Sequence, residues 1–470
     1  MKNAPIIYMY INHQRILLLS FCLTLAMYSA FAKRYYVREN GGGSGEGGWG
    51  GAGDLVTILQ QAMAGDTIWV RSGTYKPTTN GNRNFSFLLR PGVVMMGGFG
   101  GIETSYQARF PDAAPTILSG DIDLAGNADC YHVIRRNPAA SPLTAATVLD
   151  RFTIMGGRAD DFDFSSSNNK GGGLLLNNES ITLIDCIFQQ NTSSVFGGAV
   201  YANNSSPTFI NCKFVANHSL NLSGGGMYAE GNGTIVFDRC LFKQNTAVAH
   251  SAIYVEGQIR VNILSSIFTQ NQNSGHPAIA LYSNIPSSHL ITNSLFFDNN
   301  FSTSQSNPTQ LASSDSVDIY GSSFVQVQIN VNYLRPIVDI KGNVTNSIFW
   351  GSSLPIFTPT SVNAFNTISV KGLPNCTNCP GGNGDVSPGF FDLNDPDGPD
   401  DILGTEDDGL RLGAFSPGIN AGIRPDVSLL VPANDITGKT RDRQYDIGAY
   451  EGAYCPGTTL TRLYVNAAST

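Results

Sequence analysis

The sequence predicts an all-β chain wound as a right-handed parallel β-helix, a solenoid with a short capping helix at its N-terminal end. Three observations carry this. A six-residue pattern (small residue, any, Phe, any, any, Asn) starts at Cys186, Cys212, Cys240, Ser266 and Ser294, at intervals of 26 or 28 residues. A second row keeps step with it, in Ala199-Val200-Tyr201, Gly226-Met227-Tyr228 and Ala252-Ile253-Tyr254. The composition, with 51 Gly and only 14% charged residues, feeds short strands and turns rather than long surface helices. A fixed period of this length marks stacked coils, none of which buries its apolar side alone.

Residues 1–32 read as an export signal. Lys2 and Arg15 supply positive charge, residues 16–27 are mostly apolar, and Ala30-Phe31-Ala32 offers a small-x-small cleavage pattern. The apolar run up to residue 32 contains Ser20, Thr24 and Ser29 and is at the short limit for a membrane span. The expected location is therefore secreted or outer cell surface, with no membrane span in the mature chain. Losing this leader makes the mature chain more acidic than the −8 of the whole sequence, which disfavours nucleic acid as a partner.

Residues 33–115 are expected to form the cap and first coils. Leu55, Ile58, Leu59 and Ala62 recur at helical spacing, Asp54 stands at the N-cap, and Gly65 offers a stop. Such a helix covers an end that would otherwise expose unpaired strand edges. Thr67-Ile68-Trp69-Val70 then reads as a strand.

Residues 116–375 form the body. Side chains alternate along a strand, so Phe188, Phe214, Phe242, Phe268 and Phe296 share one inward stack. Cys186, Cys212, Cys240, Ser266 and Ser294 form a column of small residues beside it, a packing role rather than metal ligation. The closing Asn191, Asn217, Asn245, Asn271 and Asn299 stand where a turn begins. They are expected to tolerate left-handed geometry and to stack as an amide ladder. Ser347-Ile348-Phe349 lies two coils beyond Ser294, and Phe152-Thr153-Ile154 one coil before Cys186, with an insertion at 158–170.

Residues 376–453 are expected to close the solenoid. Cys376 and Cys379, flanked by Pro and Gly, read as a loop disulfide rather than a redox pair. Asp392, Asn394, Asp395, Asp397, Asp400 and Asp401, turning at Gly398 and continuing to Glu406-Asp407-Asp408, offer the alternating oxygens that suit calcium. They depart from the EF-hand pattern, because Leu403 stands at the twelfth place. A solvated acidic loop is the other reading. Residues 454–470 read as a linker and the start of a second β-helix. Arg462-Leu463-Tyr464-Val465-Asn466 is similar to Arg34-Tyr35-Tyr36-Val37-Arg38, so the chain is expected to be a piece of a longer protein.

A resemblance joins these readings. Ala64-Gly65-Asp66-Thr67-Ile68-Trp69-Val70 with Gly73-Thr74-Tyr75 resembles the opening of pectin-lyase-like β-helix proteins of bacterial surfaces. Gly97-Gly98-Phe99-Gly100-Gly101-Ile102-Glu103-Thr104 and Ile117-Leu118-Ser119-Gly120-Asp121-Ile122 are similar to that family too. Ser416-Pro417-Gly418-Ile419-Asn420-Ala421-Gly422 and Asp446-Ile447-Gly448-Ala449-Tyr450-Glu451 resemble the closing segments of its choice-of-anchor Q members. The resemblance, over residues 33–453, implies an exported, surface-attached or secreted β-helix and says little about chemistry.

Candidate chemistry is sparse. Outward between Cys and Phe stand Ile187, Lys213, Leu241, Ile267, Leu295 and Ile348, almost all apolar. Asp185 and Asp238 are two coils apart, no acids group across neighbouring coils, and the histidines share no register. Tyr201, Tyr228 and Tyr254 are expected to face outward as an aromatic stripe for sugar rings, or as a self-supporting ladder. The expected function is a monomeric surface scaffold for adhesion or glycan binding without catalysis, its partner a glycan or a cell-surface protein. A polysaccharide lyase or glycoside hydrolase on the same fold is the alternative, and a passive spacer a third reading.

Overall fold

The computed structural model describes residues 32–109, 114–122, 129–161, 163, 166–285, 288–299, 309–327, 338–351, 362–370, 376–381, 386–424 and 433–452. The expected export signal, but for residue 32, and the segment 454–470 lie outside the described residues.

Each coil lays down three strands. Leu174–Asn177, Thr182–Ile184 and Ile187–Gln189 make one coil, and Val200–Asn203, Thr208–Ile210 and Lys213–Val215 make the next. Equivalent strands pair in parallel, so that Phe188 stands opposite Phe214 and Phe214 opposite Phe242. The first and second strands build an 18-stranded sheet, and the third strands an 11-stranded sheet.

One residue turns the chain from second to third strand. Asp185, Asn211, Arg239, Ser265, Asn293 and Asn346 all hold left-handed backbone, with φ of 53°, 52°, 54°, 46°, 51° and 52°. Left-handed backbone costs little for Asn and Asp, and here hydrogen bonds to the next coil hold it. A second left-handed column corrects the expectation for the asparagines. It is the residue before each Asn that turns: Gln190, Ala216, Gln244, Gln270 and Asp298. The Asn side chain points inward instead. Asn217 Nδ2 donates to Asn245 Oδ1 (2.9 Å) and to the carbonyl of Phe188 (2.9 Å), and Asn245 repeats this with Asn271 and Phe214. Fully buried amides need partners for every polar atom, and the adjacent coil supplies them.

The Phe stack is continuous. Ring centroids lie 5.1 Å apart from Phe188 to Phe214, 4.3 Å to Phe242, 4.7 Å to Phe268 and 4.9 Å to Phe296. Phe324 and Phe349 extend it. In the neighbouring small column, the Cys212 thiol donates to the Leu183 carbonyl (3.4 Å), and Ser266 Oγ accepts from the Cys240 N–H (3.0 Å). Cys186, Cys212 and Cys240 are buried.

The helix spans Leu55–Gln61, with Asp54 accepting from the Thr57 N–H at its start. Leu55, Ile58 and Leu59 enter the main core together with Ala62. The helix ends before Gly65, whose φ of +94° serves the turn into strand Thr67–Arg71.

Residues 386–424 and 433–452 lie over the outer face of the 11-stranded sheet. Leu410, Ala449 and Tyr450 cover Leu295, Phe297 and Val325, while Leu412 and Ile447 cover Ile348 and Ile368. Arg441, almost fully buried, fastens this closure: it pairs with Glu451 (3.1 Å) and donates to Asn293 Oδ1 (2.7 Å) on the solenoid. The apolar outward column read from the sequence is thus partly an interface.

Candidate functional site

Closure covers only the later coils. The outward column of the 11-stranded sheet runs Thr153, Ile187, Lys213, Leu241, Ile267, Leu295, Ser323 and Ile348. Ile267 and the positions after it join the closure clusters or lie against them. Before it, the face is open and forms a groove of about 390 Å³. Its floor carries Thr153, Ile187 and Lys213, its long edge Arg151, Asp185 and Asn211, and its near end Gly98, Ala114 and Pro115.

The edge residues hold one another. Asp185 accepts from Asn211 Nδ2 (2.5 Å) and lies 3.6 Å from the Arg151 guanidinium. Behind them the nearly buried pair Arg109–Asp150 (2.8 Å) braces the corner, with Arg109 also donating to the Gly97 carbonyl. Lys213 is exposed. An aliphatic floor edged by a guanidinium, a carboxylate, an amide and an ammonium can lie against one face of a hydroxylated ring and bond to its rim. Sequence reading missed Arg151, Asp185 and Asn211 as a set. Their signal was present: each stands just before the inward residue that opens the motif, at the coil period.

Tyr201, Tyr228 and Tyr254 do stack outside the coil, with centroids 5.9 and 5.1 Å apart, but the stripe is largely covered. Tyr201 and Tyr228 are 3% and 2% exposed, and Phe196 lies 4.0 Å from the Tyr228 ring. Only Tyr254 remains half-exposed. The cover comes from the Gly-rich loop before strand Val200–Asn203, which brings Phe196 onto the rings. A correction follows for the acids. Glu230 and Glu256 stand at stacked positions of adjacent coils, two residues beyond the paired Tyr228 and Tyr254. Tyr201 donates to Glu230, while Glu256 accepts from Tyr228 (2.6 Å) and Tyr254 (3.3 Å). Burial, reinforced by these carboxylates, pushes the Tyr254 phenol up to about 12 and the Tyr201 and Tyr228 phenols higher.

His289 has a structural role. His289 is fully buried and burial lowers its pKa to about 4. Its Nδ1 accepts from the Val261 N–H (3.1 Å), so Nε2 carries the proton toward Ser283 (3.4 Å) and Asp315 (3.9 Å). A ring so committed cannot take a proton from Ser283, and no nucleophile–base pair results.

In the acidic loop, the carboxylates whose oxygens lie within 4.8 Å of one another are Asp400, Asp407 and Asp408. Of the six expected ligands, only Asp400 joins this group. Asp392 bonds locally to Asn394, and Asp395, Asp397 and Asp401 stand outside the group. Asp408 is buried, accepts from the Gly404 N–H (2.7 Å) and the Tyr450 phenol, and has its pKa raised by burial. Cys376 and Cys379 are joined in a disulfide, and Cys379 Sγ accepts from the Thr367 N–H (3.2 Å).

Residues 161–333 match the family model of the right handed beta helix region. Among solved structures, the chain is similar to pectate lyase Pel9A at 15% identity and a TM-score of 0.53, covering 90% of this chain and 96% of that one. A rhamnogalacturonan lyase overlaps at 13% identity and a TM-score of 0.37, over 82% of this chain and 97% of that one, too loosely to carry an argument. No curated protein matches the chain. These matches bear on the solenoid and not on the choice-of-anchor Q likeness of the closing segments. Among the described residues no helix is long and apolar enough to cross a membrane. The chain has the right-handed parallel β-helix fold.

Proposed function

We propose that this protein is an exported β-helix scaffold, secreted or held at the outer cell surface, that binds an extracellular glycan without cleaving it and acts in adhesion. The observation that supports the reading is the open groove, with its aliphatic floor and polar edge at Arg151, Asp185, Asn211 and Lys213. The groove, rather than the covered tyrosine stripe, is the assigned binding surface. Incubating the described chain with immobilised neutral and acidic polysaccharides tests this. Retention without release of shortened chains is expected. Depolymerisation, or no retention on any of them, overturns it.

Cleavage on the same fold keeps one observation in its favour. Glu230 and Glu256 stand on adjacent coils, whose strands are ~4.8 Å apart, so two carboxylates share one outer edge of the solenoid. Both carboxylates are bonded by phenols and lie away from the groove, which is why binding without cleavage is preferred. For the acidic loop we propose calcium, held by Asp400, Asp407 and Asp408. The donors are all oxygens, as that ion requires. Its role would be to fasten the loop through Asp408, which also holds Tyr450 of the closure.

A further inference from the structure

The groove has a direction, and it constrains the ligand; the inference rests on the glycan reading above. Both long sides of the groove carry one residue per coil. Arg151, Asp185 and Asn211 occupy three successive corners, and Thr153, Ile187 and Lys213 three successive outward positions. The Gly98 and Thr116 edge adds a fourth coil. With neighbouring strands ~4.8 Å apart, the groove runs ~14 Å along the solenoid axis. Across that axis it is only a corner and a strand wide. We infer that it takes a linear oligosaccharide laid along the solenoid axis, about one sugar per coil, rather than a single sugar or a chain end.

The contrast with the closed coils argues for a saccharide over an apolar peptide. On the same face the chain's own closure lies against Leu295, Phe297, Val325 and Ile348, which reward apolar side chains. At the equivalent places the open coils carry Thr153, Ile187 and Lys213, with Met155, Gln189 and Val215 two residues further along the same strands. The corner adds hydrogen-bonding groups from all three successive coils: a guanidinium, a carboxylate and an amide. Such a repeat of polar groups at one-coil steps matches a polymer of hydroxylated rings.

The test is a glycan array printed with linear oligosaccharides of one to six units, neutral and acidic, probed with the full chain and with Lys213→Ala and Asn211→Gly. Glycine keeps the left-handed corner while removing the amide. Signal is expected to be absent for single sugars, to rise steeply up to about four units and then level off. Each variant should lose at least tenfold in binding with an unchanged melting temperature. Retention of single sugars as strong as that of longer chains overturns the axial arrangement and leaves the glycan reading standing. Length-dependent retention indifferent to both substitutions places the glycan elsewhere on the solenoid. No retention of any glycan overturns both. Capture of an immobilised peptide set by the parent, lost in the variants, reassigns the groove to a protein partner.

Discussion

Two stretches of the same sheet face behave differently. Over the coils of Leu295, Phe297, Val325 and Ile348 the closure is seated, and these side chains are 0–7% exposed. Over the coils of Thr153, Ile187 and Lys213 nothing among the described residues sits on the floor, and a groove remains. Inside, the two stretches are alike: one Phe stack runs from Phe188 to Phe349 without a break. The interior repeat sets the solenoid, while the outward residues of each coil set whether that coil is covered or left free for a ligand.

If the interior is as uniform as the stack indicates, its cost of disruption should not depend on what lies outside. Phe242→Ala in an open coil and Phe324→Ala in a covered one should each cost about 3–5 kcal/mol in chemical denaturation, because both rings are fully buried. A loss confined to the covered coil would break the comparison, since the closure rather than the stack would then be holding the core.

The outward positions should separate the two stretches. Leu295→Ala removes a side chain buried under Tyr450 and Leu410 and should cost about 2–4 kcal/mol. Leu241→Ala, at a half-buried position two coils earlier, should cost about 1 kcal/mol or less. Equal losses measured by thermal melting would show that something also covers Leu241.

Calcium should sharpen the difference more gently, by acting on the closure alone. A ligand at about 100 times its dissociation constant stabilises the native state by about 2.7 kcal/mol at most, less where the closure unfolds separately. Millimolar Ca²⁺ added to chelator-treated protein should raise the melting temperature and slow proteolysis within 386–452. Asp408→Asn should abolish both effects. An unchanged melt would leave Asp400, Asp407 and Asp408 as a hydrogen-bonded acidic turn.

Much of the solenoid was legible because its signal repeats. Cys186, Phe188 and Asn191 each recur at the coil interval, so a single misread position would be outvoted by its copies. Phe324 escaped notice because the motif around it, Ser322-Ser323-Phe324, ends in Gln326 and Val327 rather than in Asn. The place of the left-handed residue was off by one because propensity favours Asn there, whereas Ala216 and Gln244 adopt the turn so that Asn217 and Asn245 can reach inward. Satisfying a buried amide outweighs the modest cost of left-handed backbone at its neighbour.

The site was less legible. Arg151, Asp185 and Asn211 differ in chemistry, so no motif unites them; they meet because coils stack in register. Glu230 and Glu256 likewise have no sequence signature beyond their interval. Local periodicity by itself determined the parallel β-helix, its inward Phe column and its capping helix, because each coil repeats the same short-range choice between core and solvent. Only the tertiary structure decided which outward residues are free. Whether Tyr228 is a platform or is covered by Phe196, and whether an outward leucine faces water or Tyr450, depends on segments distant along the chain, and burial is a property of what packs on top.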